Sequence, residues 1–210
     1  MTAPAFIWDL DGTLFDSYAF IVSAVTQGLE EYGIAVDKET VFQEVTATSV
    51  TAYLHKAAAS YDCPEAELFR RCCFLQTSQD DQIRLNPHAE AVLRQLQDRG
   101  AIHFVYTHKG ASAPAVLERL GILDLFREVI TADSGLPRKP APDGVDYLVE
   151  KYGLDRERCY YVGDRKIDLE CAANAGIKSI LYLYSPSSVL VKDMATYCVK
   201  DLRQILDLAL

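Results

Sequence analysis

The 210-residue sequence predicts an α/β protein, a parallel sheet covered by helices on both faces and interrupted once by an all-helical insertion. Three observations carry this expectation. After Leu85 short apolar runs alternate regularly with helix-like stretches, one further apolar run (Ala5 to Asp9) stands apart from them, and the intervening residues read as helices throughout.

The first element is the apolar run that opens FIWDLDGTLF, Phe6 to Phe15, with the length and composition of a short buried strand. Tyr18, Ile21, Val22, Val25, Leu29 and Tyr32 then recur at helical spacing, with a cap at Asp16 or Ser17 and a stop at Gly33, so residues 16–33 are expected to form a helix. Up to about Asp81, KETVFQEVTA, SVTAYLHKAAASY and PEAELFRRCCFLQTSQDD hold many helix formers and few breakers. Beyond LNPH (Leu85 to His88) the alternation begins: helix 88–99, strand IHFVYT, helix 112–120, strand EVITA, helix 142–152 and strand CYYVGD. Helix 166–175, strand KSILYLY, a weaker strand near TYCVK and a final helix from Asp201 complete the chain. Residues 1–15 and 85–210 are therefore expected to form the sheet domain, and 16–84 the helical insertion. The chain contains no internal repeat or low-complexity tract.

Half of the residues are hydrophobic, enough for a substantial core. A net charge of -9 and a pI near 4.9 exclude nucleic acid or an anionic membrane surface as the main partner, and an anionic substrate would need a locally positive site. No apolar run approaches the roughly 20 residues that span a bilayer, and no basic region precedes a signal-like core, so a cytoplasmic location is expected. The six cysteines form no C-x-x-C pair, and the adjacent Cys72 and Cys73 would point apart on a helix. Reduced, mostly buried thiols are expected.

Alternate strand residues share a face, so Asp9 and Asp11 should project the same way and repel each other unless a cation, a proton or water separates their charges. A tight hairpin does not explain the pair, because Thr13, Leu14 and Phe15 do not begin an alternating return strand. Ligands of open parallel sheets bind at the carboxyl ends of the strands. Those ends deliver Asp9 and Asp11, then Thr107, then a loop with Lys139, then Gly163 and Asp164; Asp168 follows four residues on, on the same side of a helix starting near Arg165. Taken alone, Thr107 reads as a cap or turn residue, Lys139 as a solvated loop lysine, Asp164 as a helix cap and Asp168 as an exposed helix residue. Together they suit phosphoryl transfer. Asp9, Asp164 and Asp168 offer hard oxygen ligands for Mg²⁺, Lys139 and the metal would neutralise a phosphate, and Thr107 could donate to a phosphate oxygen.

DLDGT (Asp9 to Thr13), the threonine ending FVYT (Thr107), Lys139 in RKPAPD and GDRKID (Gly163 to Asp168) resemble the four motifs of the haloacid dehalogenase-like hydrolase superfamily, over essentially the whole chain. The resemblance implies a Rossmann-like core with a small α-helical cap, and the downstream sequence is most similar to the phosphoglycolate phosphatase-like and β-phosphoglucomutase-like group. It implies that Asp9 attacks phosphorus to form an aspartyl-phosphate, while Asp11 protonates the leaving alcohol and then activates water. Dehalogenases of the superfamily lack the second aspartate, so Asp11 argues for a phosphatase. Gly12 would allow the turn and, with Thr107 and Lys139, belong to the phosphate site; the Asp11 backbone carbonyl resembles an additional Mg²⁺ ligand beside Asp9, Asp164 and Asp168.

Where many relatives have asparagine after the motif threonine, this chain has His108, then Lys109 and Gly110. His108, Lys109 and Arg165 are candidate substrate contacts, and Lys166 could extend the positive site. In the cap, Tyr18, Phe20, Arg70 and Arg71 are weaker candidates, reading equally as core aromatics and solvated arginines. The expected function is a Mg²⁺-dependent phosphatase of a small phosphorylated metabolite, acting as a monomer or homodimer, with a cap that closes to exclude water. A β-phosphoglucomutase-type phosphomutase and a non-catalytic phosphate-metabolite binding or regulatory protein are the alternatives; the second has no use for an acid/base pair.

Overall fold

The structure, a computed structural model, describes residues 3–208. Ser17–Ile83 form one compact unit, and the described residues on either side form another.

The smaller unit consists of α1 (Tyr18–Glu30), α2 (Lys38–Ala47), α3 (Val50–Tyr61) and α4 (Glu65–Thr77). Ile21, Val22, Val25 and Leu29 form the buried stripe of α1, which packs on Leu68, Cys72 and Leu75 of α4. The approach is close: a Cβ added at Gly28 would collide with the Cys72 sulfur. Asp37 and Ser49 cap α2 and α3 by accepting the Thr40 and Ala52 N–H groups at 2.8 and 3.1 Å. Cys72 is buried and Cys73 exposed, as adjacent helix positions require.

The larger unit contains β1 (Ala5–Trp8), β2 (Phe15–Asp16), β3 (Arg84–Leu85), β4 (Ile102–Tyr106), β5 (Phe126–Ile130), β6 (Cys159–Gly163), β7 (Lys178–Tyr182) and β8 (Tyr197–Val199). Its helices are α5 (Ala89–Asp98), α6 (Ala113–Arg119), α7 (Asp143–Tyr152), α8 (Lys166–Asn174) and α9 (Pro186–Leu190). Six strands form a parallel sheet in the order β5-β4-β1-β6-β7-β8. Every residue of central β1 is buried, as expected of a strand covered on both faces. On one face Ile7, Phe104, Tyr106 and Tyr161 pack with Val145 and Leu148 of α7 and Cys171 and Ala172 of α8. On the other, Phe6 stacks on Tyr160, and the Trp8 indole N–H donates to His103 Nδ1 at 3.1 Å. That bond fixes the tautomer, so His103 Nε2–H donates to the Leu93 carbonyl of α5 at 3.0 Å.

Three elements depart from expectation, one of them the short α9 (Pro186–Leu190), in a stretch to which the sequence assigned no element. The final helix is a 3₁₀ segment, Leu202–Asp207: its six residues are too few for a cooperative α-helix, and Asp201 accepts the N–H of Arg203. Phe15 and Asp16, expected outside any sheet, pair antiparallel with Leu85 and Arg84, so the chain leaves and re-enters the larger unit through a two-stranded ribbon. None of the described helices is long and apolar enough to cross a membrane.

Candidate active site

Strand β1 lies between β4 and β6, and Trp8 pairs with both Val105 and Val162, so the carboxyl ends of the three strands are level. The chain runs from β1 to β4 and β5 on one side and then crosses from β5 to β6 on the other, a switch of direction at which open parallel sheets form a crevice beyond the strand ends. Asp9 donates its N–H to the Val162 carbonyl at 2.9 Å, and Thr107 its N–H to Ile130 at 3.0 Å. The sheet thereby fixes both backbones before their side chains act.

Beyond Asp9 the chain turns sharply. Thr13 and Phe15 N–H groups both donate to the Leu10 carbonyl, at 3.0 and 2.8 Å, and Gly12 donates to Phe15 at 2.9 Å with φ +80°. A left-handed backbone there suits glycine. The Gly12 N–H is used inside this turn, just beyond the end of β1.

Lys139 is brought in by the loop after β5. Tyr106 donates its hydroxyl to the Pro137 carbonyl at 2.8 Å, Asn174 donates to Pro140 at 2.9 Å, and the Tyr106 ring lies where Gly144 leaves no room for a Cβ (2.6 Å). Far from being a solvated loop lysine, Lys139 is 3% exposed. Its Nζ lies 2.6 Å from Asp168 Oδ1 and 3.1 Å from Asp9 Oδ2, and over the Tyr161 ring at 5.4 Å. Asp168 sits in the first turn of α8, where its Oδ2 accepts the Arg165 N–H at 3.1 Å, so it is neither exposed nor idle. Gly163 makes room for it, since a Cβ there would collide with the Asp168 carboxylate. Arg165 turns its guanidinium back onto Asp9 Oδ2 at 3.0 Å, and Asp9 Oδ1 accepts the Leu10 N–H at 2.9 Å. Thr13 donates its hydroxyl to Asp164 Oδ1 at 3.1 Å.

Burial alone would raise the Asp9 pKa, but Lys139 and then Arg165 outweigh it and hold the carboxyl well below its ordinary range. Burial works against the Lys139 charge as well, and Asp168 and Asp9 reverse that and raise its pKa. Asp9 is thus an anion held in one orientation by fixed donors. Asp9, Asp164 and Asp168 each place a carboxylate oxygen within 4.8 Å of the others, all buried. Burial outweighs Lys139 at Asp168 and raises its carboxyl pKa; in the fully ionised state that a bound cation would favour, the three carboxylates carry one more charge than Lys139 and Arg165 balance. Buried oxygen donors with a surplus negative charge fit a hard divalent cation. Donors engage both oxygens of Asp9 and of Asp168, but each carboxylate oxygen carries two lone pairs, so all three carboxylates keep capacity to ligate.

The Asp11 carboxylate lies outside this cluster. Its Oδ1 is buried and, among the described residues, has no hydrogen-bond partner. Thr107 is 1% exposed and its oxygen accepts the Lys109 N–H at 3.1 Å, which leaves the hydroxyl proton for another acceptor. His108 is partly buried, and its Nε2 has no partner among the described residues. Burial first, then Lys139 and Arg138, push its pKa down to about 3, so the imidazole is neutral. Lys109 is buried, and its carbonyl is taken by the Ala132 N–H at 3.0 Å. Lys166 pairs with Glu170 one turn along α8 at 3.0 Å. Sequence reasoning did not single out Thr13 or Asn86, whose Nδ2 donates to the Thr13 carbonyl at 2.9 Å. Thr13 lies inside the DLDGT motif and was accessible there; Asn86, before a proline, carried only the signal of a turn residue.

The sequence profile described as haloacid dehalogenase-like hydrolase matches residues 6–182. A phosphoglycolate phosphatase of Vibrio cholerae is 27% identical over 215 residues, covering 97% of this chain and 95% of the relative. One of Rhodobacter capsulatus is 31% identical over 188 residues, 86% of this chain and 84% of the relative. The crystal structure of a predicted phosphoglycolate phosphatase from Haemophilus somnus superposes with a TM-score of 0.84 at 23% identity, covering 99% and 98% of the two chains, a likeness of fold.

Proposed function

Because the chain belongs to the haloacid dehalogenase-like hydrolase family, we propose that it is a Mg²⁺-dependent phosphatase that hydrolyses a small phosphorylated metabolite in the cytoplasm. The observation that carries this reading is the pair at the end of β1. Asp9 is an ionised carboxylate anchored by Leu10 N–H, Lys139 and Arg165, whereas Asp11 has a buried oxygen with no hydrogen-bond partner among the described residues. A nucleophile must be anionic and fixed; an acid/base group must be left for the substrate.

In this mechanism an Asp9 oxygen forms a bond to phosphorus as the ester P–O bond breaks, and Asp11 gives its proton to the leaving alcohol oxygen. Asp11, now a carboxylate, takes a proton from water as that water attacks the phosphorus of the aspartyl-phosphate, which releases inorganic phosphate and restores Asp9. Lys139 and Arg165 face the charge that develops on the phosphoryl oxygens, and Thr107 donates its hydroxyl to one of them. A bound Mg²⁺, held by Asp9, Asp164 and Asp168, would supply further neutralisation of the phosphate.

Relatives named phosphoglycolate phosphatase put phosphoglycolate first on the substrate panel. The test is inorganic phosphate release from phosphoglycolate, sugar phosphates, nucleotides and a chromogenic ester, with and without Mg²⁺, by wild type and Asp9→Asn. Metal-dependent release lost in the variant is expected. Wild-type protein that releases no phosphate from any ester overturns the proposal, and an isomerised sugar phosphate in place of free phosphate would assign transfer instead of hydrolysis.

A further inference from the structure

Asn86 lies immediately after β3 and is 2% exposed, yet its side chain is an amide. A buried amide persists where its hydrogen bonds are made. Its Nδ2 donates to the Thr13 carbonyl at 2.9 Å and makes a longer contact with the Phe15 carbonyl at 3.4 Å; its backbone N–H donates to Leu14 at 2.8 Å. Both side-chain partners are carbonyl oxygens, so only the NH₂ edge fits there. The ribbon itself needs only the backbone bond, which extends the pairing of Phe15 with Leu85 by one residue. The side chain reaches further, into the turn that follows Asp9 and Asp11.

Thr13 joins this turn to the carboxylate cluster. The same residue accepts from Asn86 through its carbonyl and donates its hydroxyl to Asp164 Oδ1 at 3.1 Å, so a tilt of its peptide unit would move that hydroxyl. Resting on the phosphatase reading above, we propose that Asn86 is a positioning residue that acts through Thr13: it fixes the turn so that Thr13 orients Asp164 toward the cation and Asp11 stays beside the nucleophile. Outer-shell partners of this kind hold a ligand in the one orientation that binds.

The experiment is calorimetric titration of Mg²⁺ into the full chain for wild type, Asn86→Ala, Thr13→Val and the double variant, alongside kcat and KM for the best phosphate ester. Thermal unfolding of each variant checks that it is folded; Asn86→Ser, which keeps a shorter donor, replaces Asn86→Ala if that variant does not fold. The expected result is a loss of Mg²⁺ affinity of about tenfold for each single variant, with kcat reduced more than KM is raised. The double variant should bind no more weakly than Thr13→Val, because both substitutions break one chain of contacts. Mg²⁺ affinity of Asn86→Ala within about twofold of wild type, or losses that add in the double variant, overturns the positioning role. Wild type that binds no Mg²⁺ would instead overturn the proposed function.

Discussion

Lys139→Met tests the charge arrangement most directly, because methionine keeps an unbranched apolar stem and removes the ammonium, which lies over the Tyr106 and Tyr161 rings. That ammonium is fully buried, 2.6 Å from Asp168 and 3.1 Å from Asp9. At an effective dielectric of about 20, a unit charge pair near 3 Å interacts by roughly 5 kcal/mol. Desolvation of the ammonium offsets part of that, and breaking a buried pair from one side costs about 3–5 kcal/mol. Urea unfolding can be followed through the fluorescence of Trp8, the single tryptophan, which is buried in β1. At pH 7 the variant is expected to lose about 3–5 kcal/mol, with kcat down by about 100-fold or more. The sign of the pH effect follows from Asp9. In wild type its folded pKa is depressed, so its contribution to stability is present above the ordinary carboxylate pKa and lost as pH falls through the folded value. Without Lys139 the buried carboxylates bind protons more readily in the folded state, so the gap between variant and wild type should narrow from pH 7 to pH 5. A gap below about 1 kcal/mol, or one that does not change with pH, would refute an electrostatic role for Lys139 and leave only packing.

Asp11→Asn should lower kcat by about 10²–10⁴-fold while leaving the urea midpoint close to wild type, since Asp11 Oδ1 has no hydrogen-bond partner among the described residues; a lost fold would contradict this. His103 is pushed down to about 4 by burial, so it stays neutral in the fold while the unfolded chain takes up a proton at its ordinary pKa near 6.5. Its contribution is therefore present above about pH 6.5 and lost as pH falls through about 4, a loss of about 3 kcal/mol that should be missing from the pH dependence of His103→Phe. Gly163→Ala pushes a methyl group into the Asp168 carboxylate and should cost about 1–3 kcal/mol in urea unfolding together with Mg²⁺-dependent turnover; a fully active, fully stable variant would show that the helix start can shift.

The sheet was legible because each strand is a compact apolar run, and the cluster was legible because its carboxylates stand at the ends of those runs, where a parallel sheet collects them. Lys139 was harder: its neighbours Pro137, Arg138 and Pro140 describe a surface loop, and Tyr106 and Asn174, 31 and 34 residues from the Pro137 and Pro140 carbonyls they bond, fold that loop inward with the room left at Gly144. Asn86 was illegible for the same reason, since its partner Thr13 lies 73 residues away and asparagine before proline already has a sufficient local explanation. The ribbon β2–β3 escaped because two residues carry no periodicity. The terminal 3₁₀ segment carries apolar residues that suit either helix, and length decided between them.

The ribbon also bears on how such a chain can diversify. Asp16 and Arg84 are paired partners, so the two backbone crossings into Ser17–Ile83 stand side by side, about 5 Å apart. A segment of any length whose ends meet at that spacing could be spliced into the same seam without moving β1, β4 or β6. Recombination could therefore exchange the whole helical module in one event while the carboxylates and Lys139, all encoded outside it, pass unchanged to the descendant.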